Sequence, residues 1–237
     1  TNIEDTDEDI LPRFVFRFSN HQPRRWFHKY QHIYAPLFYC VPLIEWITTK
    51  DFIKVFEYRA MGLIKPGREF AIEFFGVFFR KAAYWAIFLI PPFFLTEVSV
   101  LSMAMMIFVS HCVTGILLAL IFQTAHVVPF AEFIKPESEN IDKSWVAHQL
   151  FTTANYGRDK KVLTWLVGGL NFQIEHHLFP DICHIHYPMI SGIVETTAKE
   201  FGLPYHAEKS LAAAIVAHFR LLKLMGQPEP ELATAPA

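Results

Sequence analysis

Residues Val98 to Ile121 read VSVLSMAMMIFVSHCVTGILLALI, 24 positions without a single Asp, Glu, Lys or Arg. Wound as a helix at about 1.5 Å per residue, such a run is about 36 Å long, enough to cross the hydrocarbon of a bilayer with some tilt. Just upstream, Phe74 to Leu95 is apolar except for Arg80 and Lys81. Their long stems would carry both charges to the near headgroups and leave Ala82 to Leu95 in lipid, with Pro91 and Pro92 near the far end. Between the two runs lies only Thr96-Glu97, without a basic residue, whereas both outer flanks are basic. The positive-inside tendency turns this loop away from the cytoplasm. The expectation is an all-α integral membrane protein with two transmembrane helices, joined by interfacial and cytosolic amphipathic helices.

Composition agrees. Of 237 residues 52% are hydrophobic, 24 are Phe and only 19% are charged, the profile of a chain that meets lipid. A net charge of -2 gives no electrostatic footprint for nucleic acid, and that class of partner is excluded. Cys40, Cys112 and Cys183 are odd in number and far apart, so they form neither a disulfide framework nor a CxxC motif, and buried thiols are expected.

The remaining segments read as satellites of the two spans. Glu4, Asp5, Asp7, Glu8 and Asp9 make an acidic opening that reads as a solvated, metal-proximal loop; it lacks the Gly and ligand spacing of an EF-hand loop, so a solvated face is expected rather than a cation site. Arg13 to His32 interleaves Arg17, Arg24, Arg25 and Lys29 with Trp26 and Tyr30, a pattern suited to headgroup level. His28 and His32 in this stretch read as interfacial, facing lipid phosphate or solvent. Ala35 to Ile47 is too short to span and holds Pro36, Pro42 and Glu45, hence re-entrant or interfacial. Asp51 to Arg68 reads as an amphipathic helix on the membrane. His111 lies mid-span, where hydrogen bonding to a neighbouring helix is the leading reading. His148 and Asn155, seven apart, would share a helix face as ligands, supports of ligands or packed residues. His184 and His186 are assigned no metal. A helix is expected from about Met189 to Phe201. Another, from Glu208 to Met225, carries Leu211, Ile215, Phe219 and Leu222 on one stripe and stops at Gly226; residues 227–237 are a Pro-rich, disordered tail.

The chemistry concentrates in Gly168-Gly169-Leu170-Asn171-Phe172-Gln173-Ile174-Glu175-His176-His177-Leu178-Phe179-Pro180. In a helix running up to Pro180, Gln173, His176 and His177 fall on one face while Glu175 points elsewhere. Imidazole suits iron, copper, zinc or nickel, and without a thiolate cluster a structural zinc knuckle or iron-sulfur centre is disfavoured. His126, just past the second span, emerges on the same membrane side, because the polar segment Glu132 to Lys161 does not cross back.

These residues resemble the carboxy-terminal part of a membrane fatty acid desaturase, most closely the front-end type. The third histidine box of that family reads Gln-x-x-His-His, matched by Gln173, His176 and His177 with Leu178-Phe179-Pro180 as continuation. The Gly-Gly-Leu-Asn-Phe lead-in, Ala-His-Val-Val at His126 and Thr-Thr-Ala-Asn at Asn155 extend the likeness over nearly the whole chain. The resemblance implies two iron ions, with His126, His176 and His177 as ligands and Gln173 where many relatives carry a histidine; these four are the expected catalytic and metal-binding residues. It also implies molecular oxygen as co-substrate, electrons from an external small redox protein, and oxygen-dependent formation of a cis double bond in a fatty acyl-CoA or acyl-lipid. The family's first two boxes, usually of HxxxH and HxxHH form, are absent, the HxxxH spacing of His28 and His32 being the interfacial pair named above, and Thr1-Asn2 resembles the residues immediately after the second box. Residues 1–226 are therefore expected to be the carboxy-terminal part of the desaturase domain, inactive alone, in a multi-pass membrane protein with its active site on the cytoplasmic face. One alternative is a related di-iron hydroxylase with the same ligands. Another is a non-catalytic membrane haem or electron-carrier protein using His111 and His126, although 15 residues of helix separate these by about 22 Å.

Overall fold

The computed structural model describes residues 1–4, 7, 14–135 and 143–228, so Asp5, Glu8, Asp9 and the tail from residue 229 lie outside the described residues. The described residues are mostly helical, and the chain divides into two units, one of residues Thr1–Ala35 with Ala119–Ala237, the other Pro36–Leu118.

The second unit holds the apolar segments. α1 (Gln31–Phe38), which the division cuts, and α2 (Val41–Glu45) are both too short to span, as Pro36 and Pro42 dictate. A wide π turn over Trp46–Lys50 leads into α3 (Asp51–Ala60). Among the described residues, α4 (Arg68–Leu95) and α5 (Val100–His126) are the two helices long and apolar enough to cross a membrane. Only 6% and 11% of their most apolar windows are buried, so they are not core helices of a globular domain. α3 packs on α4 through Phe52, Phe56, Phe70 and Phe74, with ring centroids 5.4 to 6.0 Å apart. Lys81 does not extend freely to headgroups: its ammonium lies 2.8 Å from the Asp51 carboxylate and donates to the Trp46 carbonyl at 2.7 Å. Within this unit His111 bonds the Tyr84 hydroxyl at 2.6 Å through Nε2, while Nδ1 lies 2.7 Å from the Ile107 carbonyl. It ties α5 to α4, a structural role.

The first unit takes the last turns of α5 and surrounds them with α6 (Trp145–Thr152), β1 (Ala154–Tyr156), α7 (Lys161–Leu166), α8 (Gln173–Leu178), α9 (Tyr187–Glu200), β2 (His206–Glu208) and α10 (Leu211–Met225). β1 and β2 pair in parallel, Asn155 opposite Ala207, a small sheet that the all-helical expectation did not contain. Its presence corrects the shared helix face of His148 and Asn155. α6 stops at Thr152, Thr153 is extended, and Asn155 lies on the strand. Ser144 and Ser210 start α6 and α10 by accepting from the backbone N–H groups of Ala147 and Ala213, the usual N-cap bond.

Small side chains bring the elements close. Ala125, Tyr156 and Ala214 form one buried cluster, Val128, Ala131, Ala154 and Ala217 a second, and Leu150, Ile174 and Ala198 a third. The buried face of α10 is Ala214, Ala217, His218, Leu221, Leu222 and Met225, rotated from the expected stripe, because close approach demands alanine where the sequence pattern favours bulk. At its end Gly226 has an ordinary φ of -77°; what requires glycine is the His28 carbonyl oxygen, which a Cβ at this position would strike.

Four further expectations change. His28 is buried rather than interfacial, accepting from the Arg25 N–H at 3.1 Å through Nδ1. Arg17 is buried too, its guanidinium donating to the carbonyls of Met225 and Gln22 at 2.8 Å and Asn20 at 3.1 Å. Glu4 is buried and accepts from Ser19, so this part of the acidic opening is not a solvated face. Cys40 and Cys112 are half-buried and Cys183 is exposed; all three are free thiols, none fully buried.

Candidate metal centre

The site grows from the end of α5. A helix leaves its last carbonyls without intrahelical partners, and here side chains from distant segments take them. The Asn2 amide donates to the carbonyls of His126 (2.9 Å), Glu132 (3.1 Å) and Thr152 (3.2 Å), and His218 Nδ1 lies 2.8 Å from the Val127 carbonyl. His126, the last residue of the helix, is thereby held on both sides of its own peptide.

α8 comes from the other direction. Gly168 and Gly169, with φ of +59° and +76°, make the left-handed turn that ends α7 and starts the approach. Asn171 and Phe172 come next as buried residues, and Ile174 packs against Leu150 and Ala198. The helix covers only Gln173 to Leu178, stopping two residues before Pro180.

The two supports bring His177 to His126, 51 positions away in sequence, with Nε2 to Nε2 at 3.3 Å and ring centroids 5.0 Å apart. Gln173 lies against His126, and its amide nitrogen is buried without a hydrogen-bond partner, as is His126 Nδ1. His176 is turned aside: its Nδ1 faces the Tyr187 hydroxyl at 3.4 Å, and its ring centroid is 5.4 Å from that of His177. Of the four expected residues, three therefore gather and His176 is oriented to a different partner. Among the described residues no three or more His, Cys, Asp or Glu side chains converge as a metal-holding group. Asp7, in the opening segment read from sequence as a metal-proximal loop, lies near enough for its charge to act on His126. His148 is not in this group; its Nε2 lies 2.8 Å from the Thr1 carbonyl.

The electrostatics favour neutral imidazole. Burial holds the His177 ring well below its ordinary value, at about 3, with the neighbouring His126 and His176 adding to the effect. Burial lowers His176 as well. Unprotonated ring nitrogens are what metal ligation requires. Two such nitrogens 3.3 Å apart are close enough for both to hold one ion. The neutral nitrogen-rich set and its orphaned polar atoms fit a share of an iron site.

Behind the box lies a second group, of which sequence reading singled out Asn155 but left Glu175 and Tyr205 unassigned. Glu175 is fully buried and accepts from the Tyr205 hydroxyl at 2.7 Å and the Asn155 amide at 2.8 Å. Burial raises its carboxyl above the usual range while these two bonds pull against that. The only signal in the sequence is that Glu175 sits off the face of Gln173, His176 and His177.

Comparison with known proteins places these features in a lineage. The chain is 37% identical over 233 residues to an acyl-lipid (8-3)-desaturase of Physcomitrium patens, covering 97% of this chain and 48% of that protein. It is 31% identical over 234 residues to an sn-1 linoleoyl-lipid 6-desaturase of Arthrospira platensis, covering 95% and 61%. With the Delta(5) fatty acid desaturase A of Dictyostelium discoideum it shares 33% over 252 residues, covering 100% and 52%. The chain thus spans about half the length of the curated relatives it matches. No solved structure matches. The fatty acid desaturase family model matches residues 1–209, from the Asn2 that fastens the end of α5 through the whole histidine box to β2, and the chain belongs to that family.

Proposed function

We propose that the intact protein to which this chain belongs introduces a cis double bond into a fatty acyl chain, using oxygen and a histidine-ligated di-iron site on the cytoplasmic side of a membrane crossed by α4 and α5. The observation that carries this reading is the meeting of His177 from the Gln-x-x-His-His box with His126 at the end of an apolar helix, ring nitrogens 3.3 Å apart. Similarity to desaturases named for lipid-bound acyl chains favours an acyl-lipid over an acyl-CoA substrate.

Removing hydrogen from an unactivated carbon is beyond any side-chain base, and bound iron would supply the oxidising chemistry. His126 and His177 would hold the metal. Gln173, with its free amide donor, would orient a group beside it, and His176 would join by releasing Tyr187. Gln173 and His126 are buried and His176 and His177 half-buried, and keeping water from the metal would protect an oxidising centre from side reactions. Electrons would come from a small redox protein.

The test is expression of the intact protein in a host supplied with defined acyl lipids, followed by mass spectrometry of the acyl chains and iron analysis of the purified protein. Loss of two hydrogens from the substrate, abolished by His177→Ala, is expected. A gain of one oxygen would instead establish a hydroxylase, and unchanged lipids with folded, iron-loaded protein would reject both.

A further inference from the structure

We propose that Asn155, Tyr205 and Glu175 form a positioning network that sets the orientation of α8 and so of His176 and His177; this rests on the metal-binding reading of the box. α8 has six residues, too short to hold its own direction, and the N–H groups of its first turn lack intrahelical acceptors. Asn155 Oδ1 accepts the Ile174 N–H at 2.9 Å, two residues ahead of His176. The same amide donates through Nδ2 to Glu175 Oε2 and to the Tyr205 hydroxyl, both at 2.8 Å. Tyr205 in turn donates to Glu175 Oε1 at 2.7 Å, closing a ring of three side chains around the residue next to the histidine pair.

The strands explain how this ring is assembled. Asn155 is the central residue of β1, and Tyr205 immediately precedes β2, so the parallel pairing of Ala154 with His206 delivers both side chains to one place. The ring is anchored outward by Arg158, which donates to the Tyr205 hydroxyl at 3.2 Å and pairs with Glu195 of α9 at 2.8 Å. Asn155 and Glu175 are both fully buried, so neither bond has water as a ready substitute. The donors match the acceptors in one arrangement only. A glutamine at 175 would set its NH2 against either the Asn155 NH2 or the Tyr205 hydroxyl, which already receives two donors.

The experiment measures iron affinity of the purified intact protein by chelator competition, beside thermal melting of the iron-free form. Glu175→Gln and Tyr205→Phe are expected to weaken iron binding about 10- to 100-fold, as loss of groups that orient metal ligands does. The exchange Asn155→Asp with Glu175→Gln restores the bond between 155 and 175 and keeps the Ile174 bond but forfeits the donor from 155 to the Tyr205 hydroxyl, so it is expected to recover about three- to tenfold of the affinity that Glu175→Gln loses. A role in folding alone would lower melting without this recovery. The inference is overturned if the single variants bind iron as the parent does, if the exchange recovers nothing, or if neither single variant accumulates as folded protein. His177→Ala separates it from the reading beneath: unchanged iron binding there would sink the metal site itself, whereas loss there with intact binding in Glu175→Gln sinks only the network.

Discussion

Acidification should loosen the first unit through His218. This imidazole is fully buried on α10 with Nδ1 2.8 Å from the Val127 carbonyl, and burial lowers its pKa from 6.5 to about 4. Above pH 6.5 the ring is neutral in folded and unfolded chain alike, and stability does not depend on it. As pH falls below 6.5 the unfolded chain takes up a proton that the folded chain refuses until about pH 4. Stability is therefore lost across that window, at 1.36 kcal/mol per unit, to a total of about 3 kcal/mol and about 2 kcal/mol already by pH 5. His218→Asn places an amide donor near the Nδ1 position but cannot titrate. The assay is thermal melting of the purified intact protein and this variant from pH 7.5 to pH 5. Other histidines contribute equally to both proteins, so the difference isolates His218. The variant should melt lower at pH 7.5, from lost packing, but its further fall on acidification should be smaller by about 4–8 °C. Parallel melting curves across the range would refute the reasoning.

Gly169→Ala forces a side chain onto a φ of +76° with its Cβ 2.8 Å from that of His184; about 1–3 kcal/mol of destabilisation and a displaced α8 are expected, read as lower melting with weaker iron retention. Gly226→Ala drives a Cβ into the His28 carbonyl and should lower melting by a comparable about 1–3 kcal/mol while leaving Gly169-dependent properties alone, which a double variant with additive losses would show. Arg17→Leu strands the carbonyls of Asn20, Gln22 and Met225, the last at the end of α10; melting should drop by the equivalent of about 3 kcal/mol, and near-parent melting would contradict the burial of that guanidinium. Tyr84→Phe deletes the 2.6 Å bond to His111 and should cost only about 0.5–2 kcal/mol, measured by denaturant titration in detergent, because polar contacts between membrane helices are modest.

The two long helices are legible in the sequence because nothing competes with their signal: a run of 24 residues without a charge has few other outcomes. Periodicity fails where the structure depends on partners far along the chain. Asn155 belongs to a strand only because residues 206–208 arrive beside it, and no local pattern within three residues announces that. The α10 stripe is displaced for a related reason. Large apolar residues mark Leu211, Ile215 and Phe219, but the surfaces that meet α10 come close enough to select Ala214 and Ala217, and they carry a carbonyl that selects His218. A buried histidine with a backbone partner is invisible to a hydrophobic count. Arg17, Glu4 and His28 are missed in the same way, each a polar side chain whose burial is offset by hydrogen bonds to segments the sequence does not juxtapose.

The same logic divides what can be read of the metal centre. The types of its residues are explicit in the Gln-x-x-His-His spacing, since imidazoles one turn from an amide need only a helix to share a face. Their convergence is not explicit, because it is fixed by side chains that serve backbone atoms. Asn2 reaches across 124 positions to the His126 carbonyl, His218 across 91 to the Val127 carbonyl, and Asn155 across 19 to the Ile174 N–H. Each takes a backbone group that the end of α5 or the start of α8 leaves unpaired, so the hydrogen-bonding demand of two helix termini becomes the means of aiming two imidazoles. The 3.3 Å approach of His126 and His177 is thus a property of the folded first unit, and His176, whose ring rests on the Tyr187 hydroxyl at 3.4 Å, is the side chain that a metal would have to turn.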